Sequence, residues 1–200
     1  MNKQLLCLLA FITMSFSAYG QGIVNWKEGL RLTYVETDRW KKEVGQWEDL
    51  VVKVEGDVMH ISTTGTRVGD FTVDRSGTYT RPMPRGSADF SYQPVKLPLT
   101  EGDTWEWVFH GLSSTGAPTR YRRNCKAGRV EQIEVPAGKF AARKYECSGD
   151  YQVTGSVTGT LNRVAWFAND LNINVKVIDA WAFFAGRDET TTVLQRISSP

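Results

Sequence analysis

Alternation of apolar and polar residues with a period of two constrains the fold more than any other feature of this sequence. It is clearest in LNINVKV (Leu171–Val177), and TWEWVFH (Thr104–His110) places Trp105, Trp107 and Phe109 on one face. Successive side chains of a β-strand point to opposite faces, so this pattern predicts strands with one buried and one solvated face. Similar runs occupy residues 30–37, 49–54, 58–63, 68–73, 119–125, 129–135, 140–147, 159–167 and 191–197.

Turn-forming residues separate these runs at short intervals. Glu55-Gly56-Asp57, Arg75-Ser76-Gly77 and Ala127-Gly128 are each typical of a hairpin connection. Short strands without intervening helical periods indicate an antiparallel meander rather than βαβ units. We therefore predict a single-domain, all-β fold in which the meander forms a curved sheet, a half-barrel or a barrel.

Two segments fit this pattern less directly. Residues 38–50 place Trp40, Val44 and Trp47 at helical spacing, but Gly45 disfavours a helix interior, and we favour a long hairpin over a helix. Residues 80–99 contain four prolines and predict an extended connection within the domain.

The first twenty residues have the pattern of a secretory signal peptide. A short basic region at Lys3 precedes the apolar run Leu5–Phe16, which is followed by the small residues Ala18 and Gly20. The run is shorter than the about 20 residues that a transmembrane helix needs, although a membrane anchor stays an alternative. We predict that residues 1–20 are removed, and that residues 21–200 form one periplasmic or secreted domain.

Two cysteines, Cys125 and Cys147, remain in the predicted exported domain. An even pair in an oxidising compartment predicts a disulfide, with two free buried thiols as the alternative. The two histidines, His60 and His110, lie in separate runs and begin no metal-binding pattern. We predict no catalytic residues, no metal and no cofactor.

Three segments resemble, in order, the motifs of a family of exported bacterial proteins whose domain has no known function. The segments are LPLTEGDTWEWVF (97–109), VPAGKFAARKYECSG (135–149) and VAWFANDLNINVKV (164–177). In that family a "PL..G..W" strand precedes a "VPAG.F.A" corner and a "W[YF]AP..G..K" strand. Asn169-Asp170 departs from the last motif. The resemblance implies a curved sheet or half-barrel, similar to LolA-like lipoprotein carriers and lipocalin-like folds, and it implies no chemistry.

The Val135-Pro136-Ala137-Gly138 corner has a structural explanation. Pro136 removes a backbone donor and fixes φ, and Gly138 permits a positive φ, so the corner ends one strand and starts the next. A phosphate-binding loop would lead into a helix, whereas the next residues read as a strand.

A basic cluster and a group of aromatic residues are the candidate binding features. We interpret the basic cluster as a contact surface for an envelope protein or for anionic headgroups. The alternative is a face that is simply solvated. The overall formal charge of +2 indicates no nucleic-acid partner, and we expect peripheral membrane association or none. The cluster comprises Arg120, Tyr121, Arg122, Arg123, Lys126 and Arg129.

The aromatic residues Trp105, Trp107, Phe109, Trp166 and Phe167 either line a site for a lipid or other apolar ligand in the concave face, or fill the core. We favour a non-enzymatic exported domain that binds such a ligand. The alternatives are an envelope protein-interaction or structural module, and a hydrolase of an envelope polymer with two carboxylates brought together by folding.

Overall fold

The computed structural model describes residues 26–67, 69–81, 90–112, 118–154, 158–183 and 186–199. The predicted signal peptide lies outside these ranges. The described residues form β-strands joined by turns and short connections. The strands are β1 Arg31–Asp38, β2 Glu43–Glu55, β3 Val58–Gly65, β4 Gly69–Asp74, β5 Tyr79–Arg81, β6 Phe90–Tyr92, β7 Thr104–Leu112, β8 Pro118–Val135, β9 Gly138–Val153, β10 Thr158–Ala168, β11 Ile173–Phe183 and β12 Gly186–Ser198.

All of these strands belong to one antiparallel sheet, which confirms the predicted fold class. The strand order is β6-β5-β4-β3-β2-β1-β12-β11-β10-β9-β8-β7. The first and last strands therefore pair in the middle of the sheet, and the edges are β6 and β7. Cα atoms of these two edge strands approach within 8 Å of each other although they form no ladder. The sheet thus curls on itself and is left open along this seam.

The hairpin predictions are confirmed at three connections and wrong at one. Residues 38–50 form the β1–β2 hairpin, and turns at Gly56 and Gly77 join β2 to β3 and β4 to β5. Ala127-Gly128 is not a turn, because β8 continues through it and its pairing with β9 shifts register between Ala127 and Val130. A bulge tolerates the same small residues as a turn, which explains the error.

The buried side chains form two clusters. The larger contains Leu32, Tyr34, Trp47, Val51 and Ile61 from β1 to β3, together with residues of β8 to β12. The smaller packs against the disulfide, and its members include Val95, Leu99, Ala127, Tyr145, Ala165 and Phe167. Val95 and Leu99 come from the predicted 80–99 connection, which also contains β6 and the end of β5.

The Val135–Gly138 corner is the turn that joins β8 to β9, as predicted, and Gly138 has a φ of 136°. The distal part of this hairpin reaches across to β12. There the backbone N–H of Ala137 donates to the carbonyl of Leu194 at 3.3 Å, and the side chains of Val135 and Ala142 join the larger cluster. The corner therefore stabilises the fold by packing.

Candidate functional site

One face of the sheet carries the buried side chains, and we call it the inner face. On β8 the alternation is regular: Arg123, Cys125 and Ala127 are buried, whereas Arg122 and Lys126 are exposed. Residues of β9, β10 and β11 that lie next to these buried positions belong to the same face. Cys147 lies opposite Cys125 and next to Arg163, which lies opposite Asp179.

Three charged residues of the inner face meet in what we call the polar cluster, namely Arg123, Arg163 and Asp179. Arg163 and Asp179 form a bidentate pair, with Nε to Oδ1 at 2.8 Å and Nη2 to Oδ2 at 2.6 Å. Arg123 Nη1 lies 3.5 Å from Asp179 Oδ1, and the exposed fractions of the Arg123 and Asp179 side chains are 6% and 13%. Gly149, directly opposite Arg123 on β9, presents no side chain between Arg123 and β10.

The cluster holds all three groups in their charged forms. Burial raises the pKa of Asp179, but the positive charges of Arg163 and Arg123 outweigh burial, so the pKa lies below its usual value. Burial lowers the pKa of Arg123 to about 10, and repulsion from Arg163 adds to this effect. Both arginines therefore stay protonated at neutral pH, and the cluster carries one excess positive charge.

Aromatic rings continue the inner face from the polar cluster toward the end of the sheet where β7 ends and β8 begins. We call Trp107, Phe109, Tyr121 and Tyr151 the aromatic row. Trp107 is buried, and the other three are half-buried. Successive ring centroids are 5.6, 4.9 and 6.1 Å apart. These separations are typical of aromatic pairs in contact.

Two features fix the aromatic row in place. The row ends at Gly159, where an added Cβ would lie 2.3 Å from Tyr151 Cε1, so the tyrosine ring lies directly over the glycine. At the other end, the Arg123 guanidinium lies 4.9 Å from the centroid of the Trp107 ring. This cation–π contact joins the aromatic row to the polar cluster.

A second group of charges lies on β1, on β2 and in the connection just after β3. Arg67 stacks over the Trp47 ring at 3.9 Å and pairs with Glu36 at 3.3 Å. Asp49 accepts a hydrogen bond from Thr63 at 2.7 Å. Burial raises the pKa of Asp49 to about 6, although the Thr63 hydrogen bond and the charge of Arg67 act in the other direction.

The five aromatic residues singled out in the sequence do not form one group. Trp107 and Phe109 belong to the aromatic row, while Trp105 and Phe167 pack with the smaller core cluster. Trp166 is placed elsewhere. Its Nε1 donates to Glu131 at 3.0 Å, and Lys176 Nζ lies 5.1 Å from its ring centroid.

Strand alternation divides the predicted basic cluster between the two faces of the sheet. Tyr121 and Arg123 are on the inner face, and Arg120, Arg122 and Lys126 are exposed on the outer face. Arg129 is exposed beyond Ala127, where the register shifts. The outer residues have acidic neighbours, since Arg122 lies opposite Asp150 and Lys126 lies opposite Glu146.

The predicted disulfide between Cys125 and Cys147 is present and joins residues directly opposite each other on β8 and β9. Cys147 is also the neighbour of Arg163 on β10. The bond therefore lies beside the polar cluster and ties together two of the strands that position it.

Sequence reasoning missed Arg163, Asp179, Tyr145 and Tyr151. A signal for the first two was present, because Arg163 is in phase with Leu161 and Ala165, as Asp179 is with the apolar residues of β11. A charged side chain in the buried register of a strand is rarely accidental, since it must find a partner.

Some kinds of site are not found in the described part of the chain. The described residues contain no group of three His, Cys, Asp or Glu side chains placed to hold a metal ion. They also contain no helix that is long and apolar enough to cross a membrane. Two open depressions with volumes of about 480 and 400 Å³ lie along β7 and β8, the second reaching Gln152 and Thr154, and neither is lined by the rings of the aromatic row.

Comparison with solved structures identifies proteins of similar fold. A candidate exported protein with a YmcC-like fold from Bacteroides fragilis aligns with a TM-score of 0.59 and 13% identity, over 86% of this chain and 97% of its own. A candidate lipoprotein from Parabacteroides distasonis gives 0.57 and 12%, over 86% and 96%. At these identities the likeness shows a common fold.

No family model matches the sequence, and the curated proteins give no match either. The motif resemblance, including the LolA-like and lipocalin-like comparison, therefore stays a prediction. The neighbours share the YmcC-like, all-β architecture with this chain.

Proposed function

We propose that this protein is an exported, non-enzymatic binding domain that holds a lipid or another ligand with an apolar body on its inner face. The predicted signal peptide supports export. So does the fold, since one protein of similar fold is a candidate exported protein and another a candidate lipoprotein. In this proposal the domain acts in the cell envelope.

The observation that carries the proposal is the half-exposed aromatic row. Phe109, Tyr121 and Tyr151 present three adjacent rings that neighbouring side chains leave partly accessible. Apolar surface left accessible in a contiguous group is typical of a binding site. The rest of the inner face is packed, with Leu161, Ala165 and Tyr145 fully buried. The apolar body of the ligand would therefore lie against the aromatic row near the strand ends.

The state of Asp179 argues against a role for this carboxyl as a general acid. Its carboxylate is held by two arginines, and its pKa is lowered. A general acid in a glycosidase needs a raised pKa, which this environment does not provide. A hydrolase acting through Asp179 is therefore disfavoured.

The experiment is a calorimetric titration of the purified protein with decan-1-ol, a neutral ligand with an apolar chain. We expect saturable binding that Tyr121→Ala weakens by about tenfold, as loss of one aromatic contact of roughly 1.4 kcal/mol would. Trp40→Ala is the control, because Trp40 is 69% exposed in the β1–β2 turn and is not in the aromatic row. Absence of binding to the wild-type protein, or equal loss in both variants, would contradict the proposal.

A role as a protein-interaction module is the alternative, and the outer face of β8 is the surface it would use. Arg120, Arg122 and Lys126 are exposed there. Arg122 is paired with Glu106 through Nε to Oε1 at 2.5 Å, which reduces the charge offered to a partner. The inner face therefore supports ligand binding better than the outer face supports this alternative.

A further inference from the structure

Two hydrogen-bond donors are buried near the junction of the polar cluster and the aromatic row without an acceptor. In the described part of the chain, Arg123 Nε and Trp105 Nε1 have no hydrogen-bond partner and almost no contact with solvent. Tyr145 packs against Trp105, and their ring centroids are 5.6 Å apart. A buried donor without an acceptor costs roughly 1–3 kcal/mol, so such groups are rare unless a ligand or water completes them.

Arg123 is positively charged, so an acceptor for its Nε would be most favourable if it carried a negative charge. Arg123 is almost completely buried, and the ion pair found for it among the described residues is the 3.5 Å contact with Asp179, which already forms a closer bidentate pair with Arg163. Two guanidinium groups therefore share one carboxylate, and Arg123 makes the longer of the two contacts. A buried charge is strongly stabilised by a paired opposite charge, and arginine binds carboxylate and phosphate oxygens in a planar, two-pronged geometry.

We propose that Arg123 binds the acidic group, a carboxylate or a phosphate, of an amphipathic ligand whose apolar body lies along the aromatic row. This inference rests on the proposed function and specifies the class of ligand.

The distance between the anion-binding residue and the aromatic row follows from the geometry of β8. Tyr121 and Arg123 are two residues apart on β8 and share the inner face, so they are separated by about 7 Å along the strand. Tyr151 lies opposite Tyr121 and extends the apolar surface across to β9. The ligand thus needs an acidic end and an apolar chain or ring that begins within about 7 Å of it.

The contact with Trp107 prepares Arg123 for this role. The guanidinium Cζ lies over the Trp107 ring, 4.9 Å from its centroid, so the ring covers one face of the guanidinium and helps to fix its position. Because the side chain is already held in the free protein, little conformational entropy is lost when an anion binds.

The test compares ligands with the same chain and different ends: decanoate, monodecyl phosphate and decan-1-ol. We expect the wild-type protein to bind at least one of the two anions about tenfold or more tightly than the alcohol, and the stronger anion identifies the headgroup. Arg123→Met, which keeps the length without the charge, should abolish the preference while retaining binding of decan-1-ol. Arg122→Met is the matched control on the outer face and should preserve it.

The outcomes separate the two proposals. Equal affinity of the wild-type protein for the anions and the alcohol overturns the anion site and leaves the apolar site standing, and this result requires no variant to fold. A folded Arg123→Met protein that keeps the anion preference also overturns it. No binding of any of the three ligands overturns the proposed function itself.

Discussion

At the scale of single residues, the inner face contains two buried carboxyl groups whose pKa values are shifted in opposite directions. Asp179 has two arginines against it, and its pKa is lowered. Asp49 has a hydrogen bond from Thr63 and a more distant arginine, and burial raises its pKa to about 6. The difference follows from the partners, because a bidentate arginine offsets desolvation more fully than one neutral donor does.

The raised pKa of Asp49 predicts how stability depends on pH. The folded protein binds the Asp49 proton more tightly than the unfolded chain does, so the carboxyl should cost stability increasingly as the pH rises from about 4 through 6. A shift from 3.8 to about 6 corresponds to a change of roughly 3 kcal/mol in the free energy of unfolding. The lowered pKa values of Asp74, Asp103 and Asp179 act only below about pH 4, outside this interval.

Urea denaturation of the wild type and of Asp49→Asn at several pH values measures this effect. We expect the wild type to lose stability between about pH 4 and pH 6 relative to the variant, whose profile should be flatter because the amide does not ionise. Parallel profiles for the two proteins would show that Asp49 ionises in the fold without penalty.

At the scale of the elements, the long β8–β9 hairpin contributes to two different parts of the protein. Its proximal part supplies Arg123, Tyr121 and Tyr151 to the candidate site, and its distal part carries Ala142 into the larger core cluster. The register shift after Ala127 separates the two parts. A bulge bends the strand that carries it, which allows one hairpin to serve both surfaces.

A matched pair of substitutions tests the distal part. Ala142 has an exposed fraction of 0%, whereas its neighbour Ala141 is exposed on the opposite face of β9. We expect Ala142→Asp to reduce the free energy of unfolding by about 3 kcal/mol or more, because it buries an unpaired carboxylate. Ala141→Asp should change it by less than about 0.5 kcal/mol. Similar values for both variants in urea denaturation would mean that this part of the hairpin does not pack as described.

The elements were largely predictable, and the site only in part. Period-two alternation around Trp105 and Ile173 locates β7 and β11 because burial on one face leaves a local record in the sequence. Local patterns do not record which strands are neighbours, so the meeting of Arg123 with Asp179 could not be predicted. Arg163 could be predicted in part. Its position in the buried register of a strand can be recognised from the sequence, but its partner on β11 depends on which strands pair.

At the scale of the whole molecule, the order of strands in space differs from their order along the chain. The strand nearest the N-terminus of the described chain, β1, pairs with β2 and with β12, so the terminal strands are internal to the sheet. The edge strand β7, from the middle of the sequence, has a ladder partner on one side, β8, within the described ranges. The pairing of the first and last described strands therefore joins the two halves of the sheet, while the open seam lies between β6 and β7, which are close in sequence.

Hydrogen–deuterium exchange followed by mass spectrometry tests this arrangement. We expect amides of peptides covering 31–38 and 186–198 to exchange more than tenfold more slowly than those of 104–112, because internal strands open only with larger unfolding events while an edge strand opens locally. The peptide covering 173–183 is the control for full protection, because β11 pairs with β10 on one side and β12 on the other. In most proteins the amides near the two termini exchange fastest. Rapid exchange in 31–38 and 186–198, together with slow exchange in 104–112, would mean that β1 and β12 do not pair in the middle of the sheet.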